Sequence, residues 1–150
     1  MSYAGAAHLH YFTIALLLGL LLAEFAQLRQ QLSPRRGWAL LFTDLAYGVS
    51  AGLVLTTGLI RLIWFGKGLD YYLMNSFFYL KMGLFLLVSM LSILPTFVFL
   101  GWRASLRAGE SPRLDRRRLL QLRLTMVVEL LALLGMVAAA ALMARGHGQF

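Results

Sequence analysis

Four long apolar stretches alternate with three short polar or basic segments along this chain. The apolar stretches run from about Ala4 to Arg29, Trp38 to Phe65, Tyr71 to Trp102 and Pro112 to Ala144. Each exceeds the roughly 20 residues that carry a helix through a hydrocarbon core. The pattern predicts an all-α, integral membrane four-helix bundle, with residues 1–150 forming one transmembrane domain and no room for a separate soluble one. The first stretch has no basic leader and runs to Glu24 without a small-residue cleavage pattern, so it is expected to be a retained helix.

The separators carry ordinary turn chemistry. Ser33 to Gly37 is a basic turn, and Gly66 to Asp70 is a short glycine-containing one. Ser111 followed by Pro112 has the form of an N-cap and first helical residue, so helix 4 is expected to start in water and enter the bilayer near Leu119. Pro95 predicts a kink late in helix 3. Gly48 with Gly52, and Gly135 with Ala139, stand at the small-xxx-small spacing that lets helices approach closely. The tail after Ala144, RGHGQF, reads as mobile.

Composition agrees with the membrane reading. Hydrophobic residues make up 60% of the chain, charged residues 13%, and mean hydropathy is +0.74. A soluble domain carries about a quarter charged residues. The formal charge of +8 is concentrated in loops beside apolar helices, which points to anionic lipid headgroups and the lipid bilayer as partners, with no nucleic acid. The absence of cysteine removes disulfides, iron–sulfur clusters and thiolate metal sites. No Ser-His-Asp arrangement, phosphate-binding loop, dinucleotide fingerprint or zinc-helix motif is present.

The arginines fall mainly in loops 1 and 3: Arg29, Arg35, Arg36, Arg103, Arg107, Arg113, Arg116, Arg117 and Arg118. By the positive-inside rule these loops are cytoplasmic and both termini non-cytoplasmic, in a bacterial inner membrane. That orientation gathers candidate chemistry into two layers. The outer one holds His8 and His10 with Arg61, Lys67, Tyr71, Tyr72, Asn75, Tyr79 and Lys81. The inner one holds Glu24, Asp44 and Glu129. His10, Leu17 and Glu24 recur every seven residues, so they share a face to within about 40° and are expected to point inward.

Three readings of the outer layer stand open. Arg61 and Lys81 snorkel, with the tyrosines as an interfacial belt. Alternatively, His10 is the axial ligand of haem b or another tetrapyrrole, and Arg61, Lys67 or Lys81 pairs with its propionates while Tyr79 and Asn75 line it. The third is a copper site using His8, His10 and methionines. Against it, Met74, Met82 and Met90 drift about 80° per step and the two histidines stand about 200° apart on a helix. The inner carboxyls read as protonated or hydrogen-bonded to neighbouring helices, or as part of a proton path between the layers.

The segments HLHYFTIALLLGLLLAEF, TGLIRLIWFGKG and YLKMGLFLLVSMLSILPT resemble a set of uncharacterised bacterial four-helix membrane proteins of unknown function, over nearly the whole chain. Over helices 1 to 3 the chain more distantly resembles the superfamily of copper-resistance D-type proteins and the HemJ-type protoporphyrinogen oxidase. That resemblance implies haem b as cofactor, Leu9 and His10 as the helix-1 histidine step, Thr57 and Gly58 as a Thr-Gly step, and Lys81 as the helix-3 lysine. The chain departs from the HemJ type where that family carries a Tyr-His pair, having Ile93 and Leu94 before Pro95. The expected function is a small membrane protein binding haem b or a porphyrin in the outer half of the bundle, and if an enzyme, a haem-dependent oxidoreductase. The alternatives are a non-catalytic subunit or scaffold of a larger complex or homo-oligomer, and copper-related transport.

Overall fold

The computed structural model describes residues 2–150 and is helical throughout its apolar stretches. Its helices are α1 (Tyr3–Gln27), α2 (Pro34–Ile63), α3 (Leu69–Leu73), α4 (Ser76–Leu91), α5 (Ile93–Gly101), α6 (Arg103–Arg107) and α7 (Arg116–Ala144). Four helical segments, Tyr3–Gln27, Pro34–Ile63, Ser76–Arg107 and Arg116–Ala144, are long and apolar enough to cross a membrane. The chain is therefore a four-span membrane protein. Its two most extensive packings are α1 with α2 and α4 with α7, and α5 and α7 join the pairs by contacts to α2 and α1.

The inward faces follow the helical period. On α1 the buried positions include Ala6, Thr13, Leu17, Leu21 and Glu24, and on α2 they include Leu40, Asp44, Tyr47, Ser50, Val54 and Thr57. Leu17, Leu21, Val54, Val88 and Leu133 build the apolar middle of the bundle. Elsewhere large side chains such as Phe42, Val49, Leu86, Phe97 and Leu131 stand exposed, facing the lipid that such a bundle requires.

The helix starts differ from those the sequence suggests, and capping explains why. Ser33 Oγ accepts from the Arg36 amide and Pro34 occupies the first turn, so α2 begins four residues before Trp38. At the fourth span, Ser111–Pro112 does not open the helix. The Leu32 amide donates to the Pro112 carbonyl and the Leu114 amide to the Gln30 carbonyl, which draws loop 3 into a short antiparallel bridge with loop 1. The cap is Asp115, whose carboxylate accepts from the Arg118 amide.

Span 3 is broken where Pro95 acts. Proline lacks an N–H and crowds the carbonyl four residues earlier, here Leu91, and α4 ends at that residue. The tail is not mobile as expected but docked. The Asn75 side-chain amide donates to the His147 carbonyl at 2.9 Å, the Ser76 amide to the Gly148 carbonyl at 2.8 Å, and the Phe150 amide to the Met74 carbonyl at 3.1 Å. Gly148, at φ 84°, turns the chain against Phe77 and Asn75, where a side chain would have no room.

Candidate functional site

His10 stands on the inward side of α1, half-buried, with Nδ1 2.8 Å from Thr57 Oγ1 on α2. Thr57 Oγ1 also lies 2.8 Å from the Leu53 carbonyl, the usual back-bond of a helical threonine, and Thr13 Oγ1 donates to the His10 carbonyl. With the Thr57 proton engaged on Leu53, the bond to His10 is made by Nδ1–H, and the Nε2 lone pair is left free. Gly58 makes this possible. A Cβ there would sit 3.2 Å from His10 Cε1, tighter than ordinary contact, so glycine lets the ring come this close to α2 without shifting.

Arg61, one helical turn beyond Thr57, extends across to α1 and places its guanidinium carbon 5.3 Å from the centre of the Tyr11 ring. Its Nε is buried and has no hydrogen-bond partner. Lys81, at the start of α4, is half-buried, and its charge and that of Arg61 both act on the His10 ring. Three of the residues singled out in the sequence, His10, Arg61 and Lys81, thus form one neighbourhood at the hairpin end of the bundle. What this arrangement can do is donate a nitrogen lone pair beside two cations that meet no carboxylate among the described residues.

The other three are placed differently. Lys67 is exposed, 3.4 Å from both the Tyr71 hydroxyl and the Ala144 carbonyl, and over the Tyr71 ring, so it closes the C-terminal end of α7. Asn75 is wholly buried, caps α4 through the Phe77 amide and clasps the tail. Tyr79 is exposed and donates to the Leu73 carbonyl. The hairpin tyrosine Tyr71 donates to the Met143 carbonyl at 2.6 Å. Lys67, Tyr71 and Asn75 tie the hairpin to the end of α7 and the tail, and the Tyr79 bond stays within the hairpin.

His8 is exposed, as are Met74, Met82 and Met90. Among the described residues no group of three or more His, Cys, Asp or Glu side chains is placed to hold a metal ion. The sequence reading missed Thr13 and Tyr11. Their signal was positional, since both lie within a turn of His10.

The inner layer comes together more fully than its spacing suggests. Glu24, Asp44 and Glu129 are close enough to act on one another electrostatically. The Tyr47 hydroxyl donates to Glu129 Oε2 at 3.0 Å, and the Thr96 hydroxyl donates to Asp44 Oδ1 at 3.1 Å. His10 and Glu24 lie about 21 Å apart along α1, at 1.5 Å per residue.

Residues 2–148 match the family model described as "Predicted membrane protein (DUF2214)". The chain belongs to that family. No curated protein and no solved structure matches it. Membership of DUF2214 agrees with the four spans and assigns no activity, so for this DUF2214 member function has to be argued from the site.

Proposed function

We propose that this DUF2214 protein binds an anionic, nitrogen-coordinated ligand at the hairpin end of the bundle, and that haem b or a related tetrapyrrole is the ligand that suits the donor set best. The observation that carries this reading is the His10 ring, held by Thr57 through Nδ1 with Nε2 free, beside an Arg61 Nε that has no partner. An imidazole oriented through its other nitrogen is the usual second-sphere arrangement of a ligating histidine. Arg61 and Lys81 supply the cations that propionates require, and a buried N–H without an acceptor favours a group that brings one.

When bound, haem b would supply one-electron redox chemistry. The chain's own part is to orient the imidazole and to neutralise the carboxylates. The positive-inside distribution of arginines supports placing this end of the bundle on the non-cytoplasmic side of an inner membrane, and anionic lipids against loops 1 and 3.

The test is an absorption spectrum of the protein purified from haem-replete cells, oxidised and then dithionite-reduced. A Soret band that is lost or shifted in His10→Ala is the expected result. Absence of the band in the wild-type chain would overturn the reading, and a band unchanged in His10→Ala would displace the ligand.

A second reading, a non-catalytic subunit or scaffold, rests on the glycines of α2. A Cβ at Gly48 or Gly52 would meet nothing within 4 Å, whereas one at Gly135 would meet Leu84 at 3.3 Å. The α7 pair is used inside the chain, and the α2 pair is left open toward the lipid beside exposed Val49 and Phe42. That face suits a second membrane helix, from another copy or from a larger complex.

A further inference from the structure

The carboxyls of Glu24 on α1, Asp44 on α2 and Glu129 on α7 take no part in the His10 site, and they are 1%, 2% and 1% exposed. Each has one oxygen with no partner: Glu24 Oε2, Asp44 Oδ2 and Glu129 Oε1. The donors that do reach the group are neutral hydroxyls, Tyr47 to Glu129 and Thr96 of α5 to Asp44. Among the described residues no basic group donates a hydrogen bond to these carboxyls. Arg123 of α7 donates to the Leu28 carbonyl and lies over the Phe25 ring, with its Nε buried and unpartnered, and Arg61 and Lys81 stand with His10.

Three carboxylates sharing a buried space with no cation would be very costly to keep ionised together. The orphaned atoms are all acceptors, so what the cluster lacks is donors. A proton supplies both needs, because it removes a charge and turns a carboxylate oxygen into a donor. A metal ion would meet the charge, but these side chains are not placed to hold one. We infer that Glu24, Asp44 and Glu129 form a single proton-binding site whose protons are shared across α1, α2 and α7.

The apolar layer between the two polar ones sets the route of exchange. Leu17, Leu21 and Val54 are buried between Glu24 and His10, and the one polar side chain of α2 buried between Tyr47 and Thr57, Ser50, spends its hydroxyl on the Tyr47 carbonyl. Glu24 lies three residues before the end of α1, and the residues just beyond it, Ala26 and Arg29, are exposed at the end of the bundle that carries loops 1 and 3. Uptake takes a proton from hydronium on the side of loops 1 and 3, leaving water, and forms one O–H bond on a carboxylate oxygen, and release reverses it. This inference does not depend on what the His10 site binds.

The experiment uses the full chain in detergent micelles, dicyclohexylcarbodiimide, which couples to protonated carboxyls in apolar surroundings, and infrared spectra of the protonated-carboxyl carbonyl band, both across a pH series. Adducts located by mass spectrometry at Glu24 or Glu129 that decline as pH rises, together with a carbonyl band that falls over the same range, are expected. Sodium chloride at fixed pH should leave both unchanged. In Glu129→Gln the pH dependence of Glu24 labelling should move, since one sharer has been removed, and an unmoved curve would show independent carboxyls and overturn the shared site. Protection by sodium would overturn it in favour of a cation site. Where no adducts form, the carbonyl band carries the same comparison: a midpoint that moves in Glu129→Gln supports the shared site, and a band that only loses intensity at an unmoved midpoint overturns it. Absence of both signals at every pH overturns it, whether or not the Gln variant folds.

Discussion

His10 on α1 and Thr57 on α2 are joined by a 2.8 Å hydrogen bond across the most extensive helix pair in the molecule. The bond fixes the ring as well as the pair of helices. Thr57→Val removes the acceptor and leaves the Nδ1–H without one, a loss of about 1–3 kcal/mol for a buried donor. Thr57→Ser keeps the oxygen and is expected to stay near wild type. Thermal unfolding of the two variants in detergent should separate them, and a destabilised Thr57→Ser beside a Thr57→Val of wild-type stability would show that the methyl group, not the hydroxyl, matters.

Gly58→Ala tests the same contact by shape. Its new methyl group meets the imidazole at 3.2 Å, closer than ordinary contact, while helix propensity alone favours alanine by about 1 kcal/mol. The expected outcome is a chain of near-native stability in which the His10 ring is displaced. Histidine NMR shifts in labelled protein would report that displacement, and unchanged shifts would place the ring's flexibility above the constraint argued for it.

The helix ends give a sharper contrast. Ser33→Ala removes the side-chain acceptor of the Arg36 amide and Asp115→Ala that of Arg118, each expected to cost about 1 kcal/mol. Ser111→Ala is expected to change stability by no more than about 0.5 kcal/mol, as for a surface residue without a capping role. Denaturation midpoints of the three variants decide the matter.

Those ends also show what could be read from residues alone. Spans, inward faces and the two polar layers follow from hydropathy and the helical period, because a membrane leaves helices few other ways to satisfy their backbones. Two Ser-Pro steps look alike in the sequence, but only the one at Ser33 caps a helix. The residues after Ser111 are claimed by Gln30 and Leu32 of another loop, and that pairing has no local signature. Asn75 misled for the same reason. A polar residue among aromatics suggested a ligand, whereas its partners come from His147 and Phe77, one of them more than seventy positions away.

Asn75→Ala is therefore expected to act on the tail. It leaves the His147 carbonyl and the Phe77 amide without partners and should cost about 1–3 kcal/mol if both become buried orphans. Protease cleavage after Arg145 should become faster, with the His10 site unaffected. Cleavage at the wild-type rate would show that the backbone bonds from Ser76 and Phe150 hold the tail unaided.

The glycines of α2 bear on how the protein assembles. Gly48 and Gly52 have open space where a side chain would go, so replacing both with leucine should not disturb the fold of one chain. Gly135→Leu, by contrast, drives a larger side chain into Leu84, an overpacking cost of about 1–3 kcal/mol. If α2 carries a self-association face, Gly48→Leu with Gly52→Leu yields a smaller species by light scattering after size-exclusion chromatography, at unchanged melting temperature. A wild-type chain that is already monomeric in detergent and in nanodiscs would leave that face for a different subunit, and cross-linking in native membranes would then find the partner on α2 in place of a second copy.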